Sequence, residues 1–322
     1  MKDFGPRIIV AVESSIRSNL MRELEAKAQI KYFDPSSDED RIISDIAGSE
    51  IIINRKSRIS GKIIMALPNL KMIARTGAGV DNTRVDLEAA KRRNLIITYN
   101  PGLNAQAVAE LTVMHALILM RRYREMEKAV ASGSWFAAQS NLGYELNGKC
   151  WGIIGFGSIG KKVAGIAKAF GCKVIAYDPL LNEEAIISFG AIPTSKEQIL
   201  SESDVVSLHI PLSPETFHLI GEKEISMMKP TAFIINTSRG GIVDDQALLE
   251  ALRKNMIRGA GLDCLEHEPM RKDEPLAQMY NVSITPHIGG TTEESYSRGS
   301  DQAVAEVLRY LEGKPLLNVF RL

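Results

Sequence analysis

Short apolar runs separated by helix-period segments recur along the chain. In the first hundred residues this pattern predicts strands at Ile8–Val12, Ile30–Phe33, Ile51–Ile53, Leu70–Ala74 and Leu95–Tyr99. Strands that alternate with helices in this way form a parallel sheet wound with right-handed crossovers. No GxGxxG sequence follows the first strand, so we expect this unit to hold a substrate rather than a dinucleotide.

After Pro101-Gly102 the pattern changes to a long helical one. It begins at Asn104, a plausible N-cap, and predicts one helix that ends near Ser132-Gly133. The helix is apolar around much of its circumference, so we expect burial either in a dimer interface or between two domains of one chain. The elements predicted next are helices at Asn182–Phe189 and Asp244–Lys254 and strands at Asp204–His209, Ala232–Asn236, Gly259–Asp263 and Val282–Thr285.

Between these two sets of strands lies the sequence GFGSIG at positions 155–160. An apolar strand precedes it, an amphipathic helix follows, and a second apolar strand ends at Asp178, which is the order of a dinucleotide-binding βαβ unit. Gly155 permits the tight turn, Gly157 allows close approach of N–H groups to a pyrophosphate, and Gly160 allows helix and strand to pack closely. Alone, GxGxxG is also typical of an ordinary turn, but the flanking elements favour the dinucleotide.

The acid at the end of the second strand predicts the type of dinucleotide. Asp178 lies eighteen residues beyond Gly160, near the spacing at which a carboxylate accepts hydrogen bonds from the ribose hydroxyls. It would repel a 2′-phosphate, and no Arg follows it closely. We therefore expect NAD as the cofactor rather than NADP.

The length and the last helix predict the domain organisation. At 322 residues the chain exceeds the size at which one core usually keeps growing, so two domains are expected. The final amphipathic helix, Glu293–Leu311, has no predicted strand after it and is expected to pack on the first unit. We therefore predict one domain at 1–102 and 289–322, with a cofactor domain at 103–288 inserted into it.

Composition and charge exclude several other classes. Thirty-nine basic residues balance thirty-nine acidic ones, so no global field favours nucleic acid or an anionic membrane as a partner. Cys150, Cys172 and Cys264 show no CxxC spacing, which is typical of reduced, packed thiols. The start of the chain does not resemble a signal peptide, and Glu110 and His115 interrupt the most apolar helix. We expect a cytoplasmic protein without a membrane span.

Three polar segments at the ends of cofactor-domain strands could carry chemistry: Asn236–Gly241, Leu262–Pro269 and Thr285–Gly290. Reducing a 2-oxo acid needs a group that holds the carboxylate, which suits the guanidinium of Arg239. It also needs a proton donor, which suits the imidazole of His287, oriented by a carboxylate. Glu268, Glu266 and His267 compete for that third position, and chemistry alone does not choose among them.

Other polar residues have simpler interpretations. His115 is predicted to be a satisfied core residue, and His209 and His218 are predicted to be structural. No paired His/Cys spacing predicts a metal site. The run Arg121-Arg122-Tyr123-Arg124 is interpreted as a solvated helix face. The glycines of the segment 77–82, in contrast, could expose backbone N–H groups that bind a carboxylate.

At these residues the chain resembles the D-isomer-specific 2-hydroxyacid dehydrogenase family over nearly its whole length. The motifs that carry the resemblance are Arg75–Asn82, Gly155–Gly160 with Asp178, Asn236–Gly241 with Val243-Asp244, Leu262-Asp263 through Glu268-Pro269, and Pro286–Gly290. The resemblance implies an α/β fold of two doubly wound parallel-sheet domains, a Rossmann cofactor domain inserted into a flavodoxin-like substrate domain. It also implies homodimers that pair through the cofactor domains.

The resemblance also implies roles for individual residues. Arg239 would bind substrate, His287 would donate and accept the proton, and Glu268, directly before Pro269, would be its partner. The implied cofactor contacts are Gly155, Gly157, Ser158, Ile159, Gly160, Asp178, Thr237, Ser238, Arg239, Asp263, His287, Gly289 and Gly290, with Asp263 at the nicotinamide amide. The implied substrate contacts are Asn54, Arg75, Gly77, Ala78, Gly79, Val80 and Arg239.

Within the family the chain looks most like the short D-3-phosphoglycerate dehydrogenases, because it ends at Leu322 without room for a regulatory domain. Two positions depart from them: Asn54 stands where an Arg is frequent, although Arg55, Lys56 and Arg58 are adjacent, and Ala78 stands where a Thr is frequent. A glyoxylate or hydroxypyruvate reductase is the alternative. An NAD-sensing interaction protein is the alternative from another class, since the family includes corepressors with this fold.

Overall fold

The computed structural model describes residues 8–136 and 142–322. The chain divides into two compact units: unit 1 comprises Met1–Asn104 and Thr291–Leu322, and unit 2 comprises Ala105–Gly290. Each unit contains a largely parallel α/β sheet, and unit 2 is inserted into unit 1. The predicted fold class is therefore confirmed. The domain boundaries predicted from the sequence lie two residues before those of the two units.

The sheet of unit 1 has six strands in the order β13-β5-β4-β3-β1-β2. These strands are β1 (Ile9–Glu13), β2 (Gln29–Phe33), β3 (Ile51–Asn54), β4 (Met72–Arg75), β5 (Ile96–Thr98) and β13 (Val319–Phe320). The helices of this unit are α1 (Met21–Lys27), α2 (Glu39–Asp45), α3 (Gly61–Ala66), α4 (Leu87–Arg92) and α13 (Glu293–Leu311). β3 and β4 are buried along their whole length, as expected for strands covered on both faces.

One strand of unit 1 was not predicted. β13 follows the last helix and pairs antiparallel with β5, with Val319 opposite Thr98 and Phe320 opposite Ile97. The Phe320 ring packs edge-on against Tyr99, with centroids 5.9 Å apart. A two-residue edge strand has too few positions to show the period-2 pattern, so the expectation of no strand after the last helix was wrong.

The sheet of unit 2 has seven strands in the order β12-β11-β10-β9-β6-β7-β8, all parallel. The strands are β6 (Cys150–Ile154), β7 (Lys173–Tyr177), β8 (Ile192–Pro193), β9 (Val205–Leu208), β10 (Phe233–Asn236), β11 (Gly259–Leu262) and β12 (Val282–Ile284). Strand order reverses between β6 and β9. In open α/β sheets, ligands bind beside such a reversal at the carboxyl ends of the strands.

The described helices of unit 2 cover both faces of its sheet. They are α5 (Ala105–Met120), α6 (Tyr123–Ala131), α7 (Ser158–Ala169), α8 (Glu183–Ile187), α9 (Lys196–Glu202), α10 (Glu222–Ser226), α11 (Asp245–Arg253) and α12 (Pro275–Gln278). Asp244 caps α11 by accepting from the N–H groups of Gln246 and Ala247. Across the described part of the chain, no helix is both long enough and apolar enough to cross a bilayer.

The long helix predicted from Asn104 is two helices. α5 ends at Met120, and Arg122 adopts a left-handed backbone conformation with φ of 52°, which stops the helix before α6 begins. Arg122 pairs with Glu125, and the guanidinium of Arg124 donates to the carbonyl of Val282. Arg121, Tyr123 and Arg124 are exposed, so the interpretation of this run as a solvated helix face holds for most of it, although the helix breaks at Arg122.

Candidate active site

The glycine loop between β6 and α7 has the geometry that a pyrophosphate requires. Gly155 has φ of 90°, and a Cβ there would lie 2.5 Å from the carbonyl oxygen of His209. A Cβ on Gly160 would lie 2.3 Å from the carbonyl oxygen of Gly155, so helix and loop are in close contact. A Cβ on Gly157, in contrast, would meet nothing within 4 Å, which leaves its backbone open to a ligand.

Two further features of this loop fit a dinucleotide. Among the described hydrogen bonds, none uses the N–H groups of residues 157–160 as donors, so the N-terminus of α7 can receive an anion. At the end of β7, Asp178 accepts from the backbone N–H of Phe156 at 2.8 Å and of Leu180 at 2.9 Å. These bonds hold the carboxylate beside the glycine loop, where ribose hydroxyls could reach its remaining lone pairs.

The loop after β10 presents Arg239 and is braced by Asn236. The Asn236 amide donates to the carbonyl of Arg239 at 2.9 Å and accepts from the N–H of Ser238 at 3.1 Å. Thr237 and Thr112 share a hydrogen bond of 2.8 Å between their hydroxyls. The half-buried Arg239 donates from Nη1 to the carbonyl of Ser238 at 2.8 Å. The side-chain direction of Arg239 is thus fixed by its own loop.

His287 and Glu268 form a close pair. Nδ1 of His287 lies 2.7 Å from Oε2 of Glu268, and both side chains are partly exposed. Glu266 is directed elsewhere, with Oε1 2.7 Å from Nε2 of His218, and His267 is exposed. Of the three residues that chemistry alone left open, Glu268 is the one in contact with His287.

Cys264 connects the acid loop to the arginine loop. Its thiol donates to the carbonyl of Ser238 at 3.4 Å, and burial raises the pKa of the thiol, so it stays protonated. Its Sγ lies within 4.8 Å of ligand atoms of Glu268 and His287. Gly240 is also tight against this loop, because a Cβ there would lie 1.8 Å from the carbonyl oxygen of Leu265. The arginine, the carboxylate and the imidazole therefore belong to loops in mutual contact.

Within the described residues, two groups of three side chains bring potential metal ligands within 4.8 Å of one another. They are Cys264 with Glu268 and His287, and His218 with Asp244 and Glu266. Each group includes a histidine at least nineteen positions from the other two residues, so short-range spacing could not have indicated the groups. In both groups the histidine and one glutamate already contact each other, His218 with Glu266 and His287 with Glu268, each at 2.7 Å. Ligand atoms of these residues therefore already have a partner within the protein.

Asp263, at the end of β11, holds the segment that carries His287. One carboxylate oxygen accepts from the Thr285 hydroxyl at 2.6 Å and from the N–H of Ile288 at 2.8 Å, and the other accepts from the N–H of Gly289 at 2.7 Å. Burial raises the pKa of Asp263, and these hydrogen bonds oppose the rise. His287 itself has φ of 53°, a conformation that a side chain adopts only where its surroundings impose it.

The other histidines have the structural character predicted for them. His115 is fully buried in α5, and its two ring nitrogens contact Ser283 at 2.9 Å and Thr285 at 3.1 Å. Burial lowers its pKa to about 4. Nε2 of His209 contacts the Ser207 hydroxyl at 3.1 Å. The sequence did not indicate that His115 touches Thr285, a neighbour of the site.

An apolar cavity of about 630 Å³ lies beside these residues in unit 2. Asp263, Glu268, Thr285 and His287 line one part of it, and the side chains of α5 and α6 line another. A cavity of this size with a few convergent polar groups is typical of a small-molecule site.

In unit 1, the loop after β4 has the character expected of a carboxylate-binding segment. Among the described hydrogen bonds, none takes the N–H groups of Gly77, Ala78, Gly79 or Val80 as donors. Arg75 is 3% exposed and donates to the carbonyls of Gly79 at 3.3 Å and Arg55 at 3.4 Å. The buried Asn54 donates to the carbonyl of Ser57 at 2.8 Å. Both side chains therefore brace loops from within unit 1.

Comparison with known proteins finds relatives among the 2-hydroxyacid dehydrogenases at the level of both sequence and structure. Residues 113–289 match the family described as D-isomer specific 2-hydroxyacid dehydrogenase, NAD binding domain. A glyoxylate reductase of Thermococcus litoralis is 40% identical over 80% of this chain and 78% of its own length. A D-3-phosphoglycerate dehydrogenase of Methanocaldococcus jannaschii is 34% identical over 96% of this chain but 59% of its own length. The crystal structure of a glyoxylate reductase from Paecilomyes thermophila superposes with a TM-score of 0.86, at 28% identity over 98% of each chain.

Proposed function

The chain belongs to the D-isomer specific 2-hydroxyacid dehydrogenase family, and we propose that within it the protein is an NADH-dependent reductase of glyoxylate or hydroxypyruvate. The family reaction is hydride transfer between a nicotinamide dinucleotide and a small 2-hydroxy or 2-oxo acid. The 2.7 Å contact between His287 and Glu268, on a loop that touches the Arg239 loop, is the observation that carries the proposal.

Arg239 binds the substrate in this proposal. Its guanidinium is permanently charged and planar, so it can hold a 2-oxo acid by two parallel hydrogen bonds and polarise the carbonyl. The Asn236 brace holds the backbone of the Arg239 loop in place before substrate arrives, which reduces the entropy lost on binding.

His287 supplies the proton to the carbonyl oxygen, and Glu268 orients the ring. Because Nδ1 faces the Glu268 carboxylate, Nε2 is the nitrogen left to face the substrate. The carboxylate also stabilises the positive charge of the ring before the proton is transferred. In the reverse reaction the neutral ring accepts the proton from the hydroxyl group.

The glycine loop and Asp178 would hold the cofactor, which supplies the hydride when bound. The residues proposed to contact it include Ser158 and Ile159 at the pyrophosphate, Asp178 at the ribose, and Thr237, Ser238 and Asp263 nearer the nicotinamide, with Gly289 and Gly290 after His287. The Asp178 carboxylate lies where a 2′-phosphate would be repelled, which supports NADH over NADPH.

The choice of glyoxylate or hydroxypyruvate rests on two observations. Three relatives, 36–40% identical over at least 77% of their own lengths, are named glyoxylate reductases. In addition, Asn54 carries no charge and is fully buried, with its amide donating to the carbonyl of Ser57, so it presents no cation to a phosphate. The backbone N–H groups of Gly77–Val80 are proposed to bind the substrate carboxylate.

D-3-Phosphoglycerate is the second candidate substrate. Arg55, Lys56 and Arg58 follow Asn54, and relatives 34–38% identical are named D-3-phosphoglycerate dehydrogenases. The chain spans about half the length of those relatives, 47–59%.

We also propose a homodimer formed through unit 2. None of the residues of α6 is buried, and the apolar side chains of Trp135, Phe136 and Leu142 are 59%, 82% and 81% exposed. Several large apolar side chains exposed to this extent within a short stretch of sequence are typical of an interaction surface. Light scattering across a concentration series tests this proposal, and a constant monomer mass would contradict it.

A substrate panel tests the proposed function. Glyoxylate, hydroxypyruvate and pyruvate are assayed with NADH and NADPH, and D-3-phosphoglycerate and D-glycerate with NAD and NADP. We expect the highest kcat/KM for glyoxylate or hydroxypyruvate with NADH. A higher kcat/KM for D-3-phosphoglycerate would favour the second candidate, and no turnover of any of these acids would contradict both.

A further inference from the structure

A chain of hydrogen bonds runs from the buried His115 of α5 to the partly buried segment that carries His287. Thr285 has one hydroxyl proton, which it donates to the carboxylate of Asp263 at 2.6 Å. The contact of 3.1 Å between Thr285 and Nε2 of His115 must then have the ring as donor. Nδ1 of His115 is left as an acceptor for the Ser283 hydroxyl at 2.9 Å. Burial lowers the pKa of His115 to about 4, so the ring is neutral at neutral pH, and these contacts place its one proton on Nε2.

The far end of this chain is the carboxylate that holds His287. Asp263 accepts from the N–H groups of Ile288 and Gly289, and its carbonyl accepts from the N–H of His287 at 2.9 Å. The backbone of His287 is in the left-handed region, which is unfavourable for a residue with a side chain. The contacts from Asp263 on both sides of His287 maintain that conformation.

Space for the imidazole is provided by a glycine. A Cβ on Gly261, in β11, would lie 2.7 Å from Cβ of His115. His115 therefore fits against the sheet only because no side chain is present at position 261. With that space and a hydrogen-bond partner for each nitrogen, the imidazole has one orientation in the core.

We propose that His115 is a positioning residue for the dehydrogenase reaction, acting through Thr285 and Asp263 to hold His287 in its working orientation. Donation from His115 directs the hydroxyl proton of Thr285 towards Asp263, so the carboxylate keeps all three of its donors. This inference rests on the roles proposed above for Asp263 and His287. It assigns a function to a residue that neither the sequence nor the reaction chemistry singled out.

The chain of hydrogen bonds from His115 through Thr285 to Asp263 predicts how activity depends on pH. A hydrogen bond to an ionised carboxylate favours the ionised form, so loss of the Thr285 hydroxyl raises the pKa of Asp263 further. A protonated Asp263 loses acceptor capacity, and the segment around His287 loosens. The titratable groups that face Asp263 are His287 and Cys264, with His115 beyond Thr285; Glu268 and Arg239 act on Cys264.

The experiment measures kcat/KM against pH for the wild type and for Thr285→Val, Thr285→Ser, His115→Leu and the double variant His115→Leu with Thr285→Val. Relative to wild type, Thr285→Val moves the acid limb of the profile to higher pH by about one unit, the equivalent of one hydrogen bond to a charged group. Thr285→Ser restores the wild-type limb. His115→Leu gives a smaller shift in the same direction, and the double variant matches Thr285→Val.

Several outcomes would contradict the proposed role of His115. An unshifted acid limb in folded Thr285→Val removes the role of the hydroxyl. A further shift in the double variant means that His115 acts by another route. Imidazole ¹⁵N NMR of the wild type should show the proton of His115 on Nε2, and a proton on Nδ1 contradicts the assigned chain. If His115→Leu does not fold, the Thr285 variants and the NMR measurement still test the proposed chain of hydrogen bonds. An inactive wild type would instead contradict the proposed function.

Discussion

Nδ1 of His287 lies 2.7 Å from Oε2 of Glu268, although nineteen positions separate the two residues along the chain. This contact restrains the orientation of the ring and leaves Nε2 as the nitrogen that we propose to face the substrate. The two residues follow neighbouring strands of the unit 2 sheet, so the pair depends on strand order rather than on sequence proximity.

The Glu268 carboxylate is expected to be necessary for full activity. Glu268→Gln replaces it by a neutral group of the same size, which orients the ring less well and does not stabilise its positive charge. We expect kcat to fall by roughly 10- to 100-fold, with the Kd for NADH unchanged. Glu266→Gln is the matched control on the same loop, because that acid faces His218. An equal fall in kcat in both variants would contradict the assignment.

Arg239 is expected to require its guanidinium and not only a positive charge. Arg239→Lys keeps the charge but loses the bidentate geometry, so kcat/KM for glyoxylate should fall about 100-fold. Arg253→Lys, at an exposed arginine paired with Glu250 on α11, controls for the substitution itself. Wild-type kcat/KM in Arg239→Lys would contradict the proposed role of the guanidinium in substrate binding.

Asp178 is expected to set the preference for NADH. Asp178→Asn removes the negative charge and keeps one oxygen, which can accept from the N–H of either Phe156 or Leu180 but not from both. The ratio of Kd for NADPH to Kd for NADH, measured by fluorescence titration, should fall by about tenfold, the equivalent of roughly 1.4 kcal/mol. The exposed Glu183→Gln is the control. A wild-type preference for NADPH would reject the cofactor assignment outright.

Buried His115 should make stability depend on pH. Burial lowers its pKa from 6.5 to about 4, so the unfolded chain binds a proton that the folded chain does not. This contribution is fully present above pH 6.5 and is lost as the pH falls towards 4, by up to roughly 3 kcal/mol. Denaturant unfolding of His115→Leu should depend less on pH in this window than wild type. The same pH dependence of the free energy of unfolding in His115→Leu and wild type would contradict this contribution of His115. His267→Leu, at an exposed position, is the control.

The sequence predicted the larger elements because buried parallel strands are nearly continuous apolar runs. The predicted strands of both units overlap observed ones, and the last long helix was predicted at Glu293–Leu311, as observed. The shorter elements were missed, including β8 and β13, because two residues carry no periodicity. The break before α6 was also missed, since Arg122 is a good helix former and no Gly or Pro marks its left-handed conformation in the sequence.

The sequence predicted those residues of the site that follow the carboxyl ends of predicted strands. Arg239, His287 and a carboxylate could be proposed together because parallel strands place their carboxyl ends at one edge of the sheet. The choice between Glu266 and Glu268 required coordinates or the family resemblance, because the two acids are two positions apart. The link from His115 to Thr285 joins residues 170 positions apart through core packing, which no local pattern encodes.

The most direct test of the account compares wild type with His287→Ala in two measurements on the same preparations: glyoxylate-dependent oxidation of NADH and the Kd for NADH. Removal of the proton donor should lower kcat by roughly 100- to 10,000-fold, while the Kd for NADH stays within about threefold and His267→Ala retains activity. Wild-type turnover by His287→Ala would contradict the assignment of His287 as the proton donor.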